Sequence, residues 1–291
     1  MAAPPPFTSA STLLASSPLR KLPLGDACLD ALFGGGLPLS GLVELAGEAG
    51  SGKTAFAMQI ALRASAASGL ASLIINTEGP FPAARLVDMA RAMGSPRAGA
   101  DLTELVKIAD IADAPALEAY LEALPRAATA NRIGFVVVDS IASPLRADLG
   151  GAADAPERVR ALLAVASALL ALNADAGVGV VVCNQVADVV EERDGGVAGA
   201  LGAAAAAGVR VLARRSAALS SGRWVRPALG PAWDAAVTHR LLLTRPVSDS
   251  TAAAAAREVH VIKSPLVPVR SVSVALCDRG LIGTAMPHDV V

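Results

Sequence analysis

Eight residues, Gly47-Glu48-Ala49-Gly50-Ser51-Gly52-Lys53-Thr54, constrain this chain more than any other feature. They satisfy the pattern GxxxxGK[ST] in full, directly after an apolar run (42–46) and directly before a helical pattern (53–68). From average composition, such a match arises by chance in roughly one chain in a hundred of this length. The residue types follow from the chemistry. Glycines let backbone N–H groups curl around phosphate oxygens without a side-chain clash, and the helix that follows adds the partial positive charge of its N-terminus. Lys53 supplies a point charge to the β and γ phosphates, and Thr54 offers a hydroxyl to Mg²⁺. All eight residues therefore belong to one expected nucleotide site.

A strand–loop–helix unit of this kind needs a parallel sheet around it, and the pattern supplies one. Apolar runs at 72–77, 105–108, 133–138 and 178–183 alternate with helical stretches at 83–93, 114–129 and 156–172. Strands that are apolar throughout are buried on both faces, as in a parallel sheet covered by helices. Pro156 followed by Glu157 is a favourable helix start, since proline suits the first turn and an acid suits the positive dipole end. Beyond residue 240 the style changes to runs at 241–244, 258–262 and 271–276 without long helices between them. These extend the same sheet, as an antiparallel C-terminal portion.

Composition narrows the function classes. The 291 residues are 53% hydrophobic, so a disordered chain is excluded. Twenty-five basic against 26 acidic residues exclude a globally basic nucleic-acid binder, though not a local patch. Cys28, Cys183 and Cys277 are far apart and odd in number, which fits a reducing compartment and small buried apolar roles. Neither they nor His239, His260 and His288 show metal-ligand spacing, so no His/Cys metal site is expected. The apolar stretch 161–183 is interrupted by Asn173, Asp175 and Gly177 and reads as a buried helix ending before a buried strand. A spanning helix needs about 20 mostly apolar residues, so no membrane segment is expected.

Three polar residues follow apolar strands, where open α/β sheets place their ligands. Asp139 ends the run 135–138 and is a Walker B candidate, holding Mg²⁺ through its water shell. Glu78 follows 73–77 and is suited to orienting and deprotonating an attacking water. Gln185 follows 180–184 and is a neutral donor and acceptor suited to sensing a γ-phosphate. Together on one sheet edge they form a hydrolytic constellation.

The order of P-loop, Glu78, Asp139 and Asn184-Gln185 resembles the RecA family of recombination ATPases, and Asn76-Thr77-Glu78-Gly79-Pro80-Phe81 with Arg85-Leu86 resembles its eukaryotic branch. Leu24-Gly25-Asp26-Ala27-Cys28-Leu29-Asp30-Ala31-Leu32, Gly35-Gly36-Leu37-Pro38, Val182-Cys183-Asn184-Gln185-Val186 and Pro227-Ala228-Leu229-Gly230 resemble a recombinase paralogue. The resemblance spans about residues 19–282. It implies a RecA-like ATPase core over 21–291, using ATP and Mg²⁺, with Glu78 as the catalytic glutamate and Gln185 as the γ-phosphate sensor. It also implies that Arg85 packs on the adenine. Phe7-Thr8-Ser9-Ala10, on a Pro-, Ser- and Ala-rich arm over 1–20, matches the family's Phe-x-x-Ala tether, which implies that Phe7 and Ala10 dock on a neighbouring protomer. Lys263-Ser264-Pro265 matches the segment that caps ATP from the next protomer, with Lys263 where recombinases usually carry an acid.

Two departures shape the expected activity. Only about 20 residues precede the core, so the amino-terminal helical domain of most members is expected to be missing. The DNA loop after the Walker B strand (143–155) keeps Arg146 but has Ala152 where strand-exchange members carry arginine. With 3% aromatics there is also little to stack bases on. Arg210, Arg214, Arg215, Arg223 and Arg226 form a candidate phosphate-contacting patch beside the second DNA loop. The leading expectation is an ATP-binding, DNA-dependent ATPase-type recombination mediator in double-strand break repair. It would act in a hetero-oligomer with another recombinase paralogue and bind DNA weakly by itself. The alternatives are a non-hydrolysing assembly scaffold and an organellar strand-exchange protein. A nuclear location follows from the first reading; the Ser-rich, acid-poor arm also has the make-up of a transit peptide, and cytoplasm is the other alternative.

Overall fold

The computed structural model describes residues 20–94, 101–147, 155–189, 211–212, 216–246 and 255–290. Its strands in chain order are β1 (Lys21–Leu22), β2 (Leu37–Pro38), β3 (Leu42–Gly47), β4 (Ala71–Asn76), β5 (Val106–Asp110) and β6 (Ile133–Asp139). Then come β7 (Gly179–Asn184), β8 (Val186–Asp188), β9 (Val211–Leu212), β10 (Ala217–Ser220) and β11 (Arg223–Pro227). The last are β12 (His239–Thr244), β13 (Ala256–Lys263), β14 (Arg270–Cys277), β15 (Gly280–Gly283) and β16 (His288–Asp289). The described helices are α1 (Ala27–Ala31), α2 (Lys53–Ser68), α3 (Ala83–Met93), α4 (Leu102–Leu105), α5 (Ala114–Ala130), α6 (Ala142–Ala147), α7 (Ala155–Ala176) and α8 (Gly230–Ala236).

The main sheet has the order β15-β14-β13-β12-β3-β7-β6-β4-β5, with β16 paired to β14. From β12 to β5 all neighbours are parallel; β13, β14 and β15 continue antiparallel. This is the expected α/β class, a RecA-like mostly parallel sheet with helices on both faces and an antiparallel C-terminal extension. The continuous apolar strands serve two cores at once. In β6, Phe135 and Val137 join Phe56, Ile60 and Leu62 of α2 on one face, while Val136 and Val138 join Leu117, Leu121, Val165 and Leu169 of α5 and α7 on the other. A period of two along the strand makes both faces apolar only when every residue is apolar.

Helix α2 is buried around most of its circumference, from Phe56 to Leu62 without a break. The buried amide of Gln59 exchanges two hydrogen bonds with the backbone of Leu281 (2.8 and 3.1 Å), tying α2 to β15.

The structure corrects the sequence reading in four places. Helix α7 does not stop before Asn173 but runs to Ala176, where Gly177 at φ 65° ends it. Asn173 stays helical because neighbours satisfy its amide: it accepts from Gly41 N (2.7 Å) and donates to Leu39 O (2.7 Å) and Val178 O (2.8 Å). The inner face of α7, including Leu162, Val165, Leu169 and Leu172, is packed in the core, while Val159 and Leu163 are exposed. Residues 143–147, expected in a loop, belong to helix α6. Of the cysteines only Cys183 is fully buried; Cys28 and Cys277 are half-buried. Finally, a second antiparallel sheet of order β8-β11-β10-β9, which the apolar pattern does not announce, stands beside the first.

Candidate nucleotide site

The parallel order brings the ends of β3, β7, β6 and β4 side by side, and the candidate residues follow from those ends. After β3 the chain turns through Gly50 at φ 72° and Gly52 at φ 101°, conformations that strain any residue with a Cβ. At Gly47 the constraint is space: a Cβ would lie 2.4 Å from Ser51 Oγ and 2.7 Å from Leu243 O. Lys53 Nζ donates to the loop carbonyls of Gly47 (2.8 Å) and Glu48 (2.9 Å), so the cation sits inside the curl of the loop. Ser51 Oγ is buried there without a hydrogen-bond partner among the described residues. A glycine-shaped cradle with a cation and an unpaired buried hydroxyl fits the phosphates of a nucleotide.

The metal-side residues also converge. Asp139, at the end of β6, is buried, with the Thr54 hydroxyl and the Cys183 thiol beside it. Burial raises its carboxyl above the usual carboxylate range, with the neighbouring Thr54 hydroxyl and Cys183 thiol opposing. Binding a hydrated Mg²⁺ would favour the ionised form. Burial also pushes the Cys183 thiol well up, so it stays neutral beside Asp139.

Glu78 stands across the cleft. Its Oε1 accepts from Ser140 Oγ (2.5 Å) and from Gln185 Nε2 (2.9 Å). Ser140 is in turn bound through its backbone to the Thr77 hydroxyl, donating at 2.9 Å and accepting at 2.6 Å. Glu78 and Gln185, 107 residues apart, therefore share one hydrogen bond, and both line a cleft of about 350 Å³ together with Gly47, Glu48 and Lys53.

Beneath the cleft lies a charged network that composition gives no hint of. Glu44, midway along β3 and fully buried, accepts from Asn184 Nδ2 (2.7 Å), Trp233 Nε1 (2.7 Å) and the Arg240 guanidinium. Arg240 also pairs with Asp234, whose backbone carbonyl accepts from Lys263 Nζ at 2.5 Å. The network fixes Asn184, immediately before Gln185. A lone acid inside an otherwise apolar strand was the available signal, since a buried carboxylate demands partners.

Other expectations meet the structure unevenly. Arg85 lies on α3 with its guanidinium on Cys277 O (2.5 Å) and Asp278 (3.3 Å), so it braces the β14–β15 turn. Lys263, in the expected capping segment, is engaged by Asp234. Arg223 and Arg226, grouped in the sequence as one patch, separate in the fold: Arg223 lines the phosphate cleft. Arg226 lines a separate cavity of about 760 Å³ with Arg158, Val159 and Leu229. The reason is hairpin geometry, which the spacing of arginines does not encode. Arg146 falls in α6, but its side chain lies outside the described residues, as do Phe7, Ala10, Arg210, Arg214 and Arg215.

A sequence model of the family described as Rad51 matches residues 17–223. The chain is 31% identical over 284 residues to the DNA repair protein XRCC3 of Bos taurus, covering 91% of this chain and 76% of that protein. It is 26% identical over 300 residues to the XRCC3 homolog of Arabidopsis thaliana, covering 92% and 95% respectively. It is 33% identical over 174 residues to the DNA repair and recombination protein RadA of Metallosphaera sedula, covering 58% of this chain and 53% of that one.

Proposed function

The chain belongs to the Rad51 family, and from that premise we propose that it is a recombinase paralogue of homologous-recombination repair that binds and hydrolyses ATP with Mg²⁺. The observation that carries the reading is the joining of Glu78 to Gln185 across the cleft from Lys53, with Thr54 and Asp139 neighbours at the metal side. In this reading the loop amides and Lys53 bind the phosphates, and Thr54 and Asp139 hold the Mg²⁺ shell. Glu78, oriented by Ser140 and Gln185, takes the proton of the attacking water. The nucleotide brings the scissile phosphoanhydride; the chain supplies position and charge.

The relatives' names, DNA repair protein XRCC3 and DNA repair and recombination protein RadA, support a role on DNA. We further propose that the chain acts in the nucleus, within a hetero-oligomer containing another recombinase paralogue. The arm over 1–20 would tether the core over 21–291 through Phe7 and Ala10. Net charge of −1 gives no global attraction to DNA, so binding by the isolated chain is weak and falls steeply with salt. The test is Mg²⁺-dependent ATP turnover of the chain copurified with its partner, with and without single-stranded DNA. DNA-stimulated turnover is expected; a complex that binds ATP without turning it over would make the chain an assembly scaffold.

A further inference from the structure

The hairpin β10–β11 turns through Ser221 at φ 47° and Gly222 at φ 78°, the two positive angles of a tight type I′ turn. That turn is fixed to the main sheet: Ser221 N donates to Arg245 O (2.8 Å) and Arg245 N donates to Ser220 Oγ (3.0 Å). It is also fixed to the phosphate loop, because Glu48 Oε1 accepts from Ser220 Oγ (2.5 Å) and Ser221 Oγ (2.6 Å). Burial works against ionisation of Glu48, but these hydroxyls and the nearby Arg245 and Arg223 outweigh it and hold the carboxyl below the usual range.

Arg223 is the first residue of β11, directly after the turn. Its Nη1 donates to both oxygens of Asp188 (2.9 Å each), and its Nη2 reaches Glu48 Oε2 at only 3.4 Å. Guanidinium and both acids line the same cleft as Lys53, Glu78 and Gln185. Among the described residues that line the cleft, the cations are Lys53 and Arg223, facing Glu48, Glu78 and Asp188. Arg245 acts on Glu48 without lining the cleft, so losing Arg223 would make the field there less favourable for a polyanion. The Arg223 side chain is 54% exposed, so its Nη2 can leave the long Glu48 contact while Nη1 keeps Asp188. Glu48 loses little, since the two serine hydroxyls still hold it. A planar guanidinium offers parallel donors suited to phosphate oxygens.

We propose that Arg223 is a second cation of the phosphate site, reaching the terminal phosphate of a nucleoside triphosphate from the β10–β11 hairpin and thereby distinguishing triphosphate from diphosphate. The inference rests on the nucleotide-site reading and adds a residue to it. It assigns Asp188 and Glu48 as positioning residues that aim the guanidinium.

The test is competition of unlabelled MgATP and MgADP against a fluorescent nucleotide, for wild type, Arg223→Ala, Arg223→Gln and Lys53→Ala. Both Arg223 variants should lose about tenfold in ATP affinity while ADP affinity stays within about twofold. Arg223→Lys should recover part of the loss. The glutamine variant guards against a collapsed hairpin, because its amide can still donate to Asp188. Equal losses for ATP and ADP in both variants would reduce Arg223 to a structural pin between β11 and β8. Unchanged ATP binding in both, with Lys53→Ala defective, would overturn the inference and leave the site reading standing. Full binding by Lys53→Ala would remove the site reading and this inference with it.

Discussion

Glu78→Gln is expected to slow ATP hydrolysis by a factor on the order of 10²–10⁴, the usual contribution of a positioned general base. The amide keeps the shape of the side chain, and its oxygen still accepts from Ser140 Oγ and Gln185 Nε2, the two donors that hold Glu78 now. Only the capacity to take a proton is lost. MgATP affinity should therefore stay within about twofold, because the phosphate contacts belong to the loop and Lys53. Single-turnover measurement with the partner-bound chain separates the two effects. A variant that hydrolyses at the wild-type rate would remove Glu78 from the base role.

Glu44→Ala should cost about 3–5 kcal/mol of folding stability, as breaking a buried ion pair from one side does. Arg240, 2% exposed, would lose its buried carboxylate and keep only Asp234, which is half-exposed. Asn184 Nδ2 would keep only Ala228 O at 3.2 Å, and Trp233 Nε1 would lose its carboxylate acceptor. Glu44→Gln should cost less, since its amide oxygen still accepts from Asn184 Nδ2 and Trp233 Nε1, while the charge and the acceptor for Arg240 are lost. The double variant Glu44→Leu/Arg240→Leu should recover much of the loss, because no charge is then left buried alone. Urea denaturation measures all three. A Glu44→Ala variant within about 0.5 kcal/mol of wild type, the range of ordinary surface changes, would contradict the network.

The contrast between these two sites shows what local sequence encodes. Glu78, Asp139 and Gln185 were legible because each ends an apolar strand, and a parallel sheet carries strand ends to one edge. Helix α2 and the loop before it were legible from local spacing: glycines, lysine and threonine occur at fixed positions within eight residues. Glu44 and Arg240 are 196 residues apart, and they meet only because β12 pairs with β3. Arg223 lies among other arginines in sequence, a grouping that suggests a phosphate-contacting patch but does not encode its place in the cleft. The Ser221-Gly222 turn that aims it into the cleft has a recognisable hairpin signature, but β9 has two residues and β10 four, too few to show periodicity. Asn173 looked like a helix breaker because propensity is local, whereas its three hydrogen bonds reach Leu39, Gly41 and Val178.

The central claim is that residues 47–54 bind the phosphates of a nucleotide through Lys53. Its most direct test is titration of wild type and Lys53→Ala with a fluorescent ATP analogue, with and without Mg²⁺. Lys53 is the only side-chain cation within the loop, and its removal leaves β3 and α2 intact. Loss of its charge-assisted contacts, about 1.5–3 kcal/mol, predicts Mg²⁺-dependent binding weakened about tenfold or more in the variant. Wild-type affinity in Lys53→Ala would contradict the account.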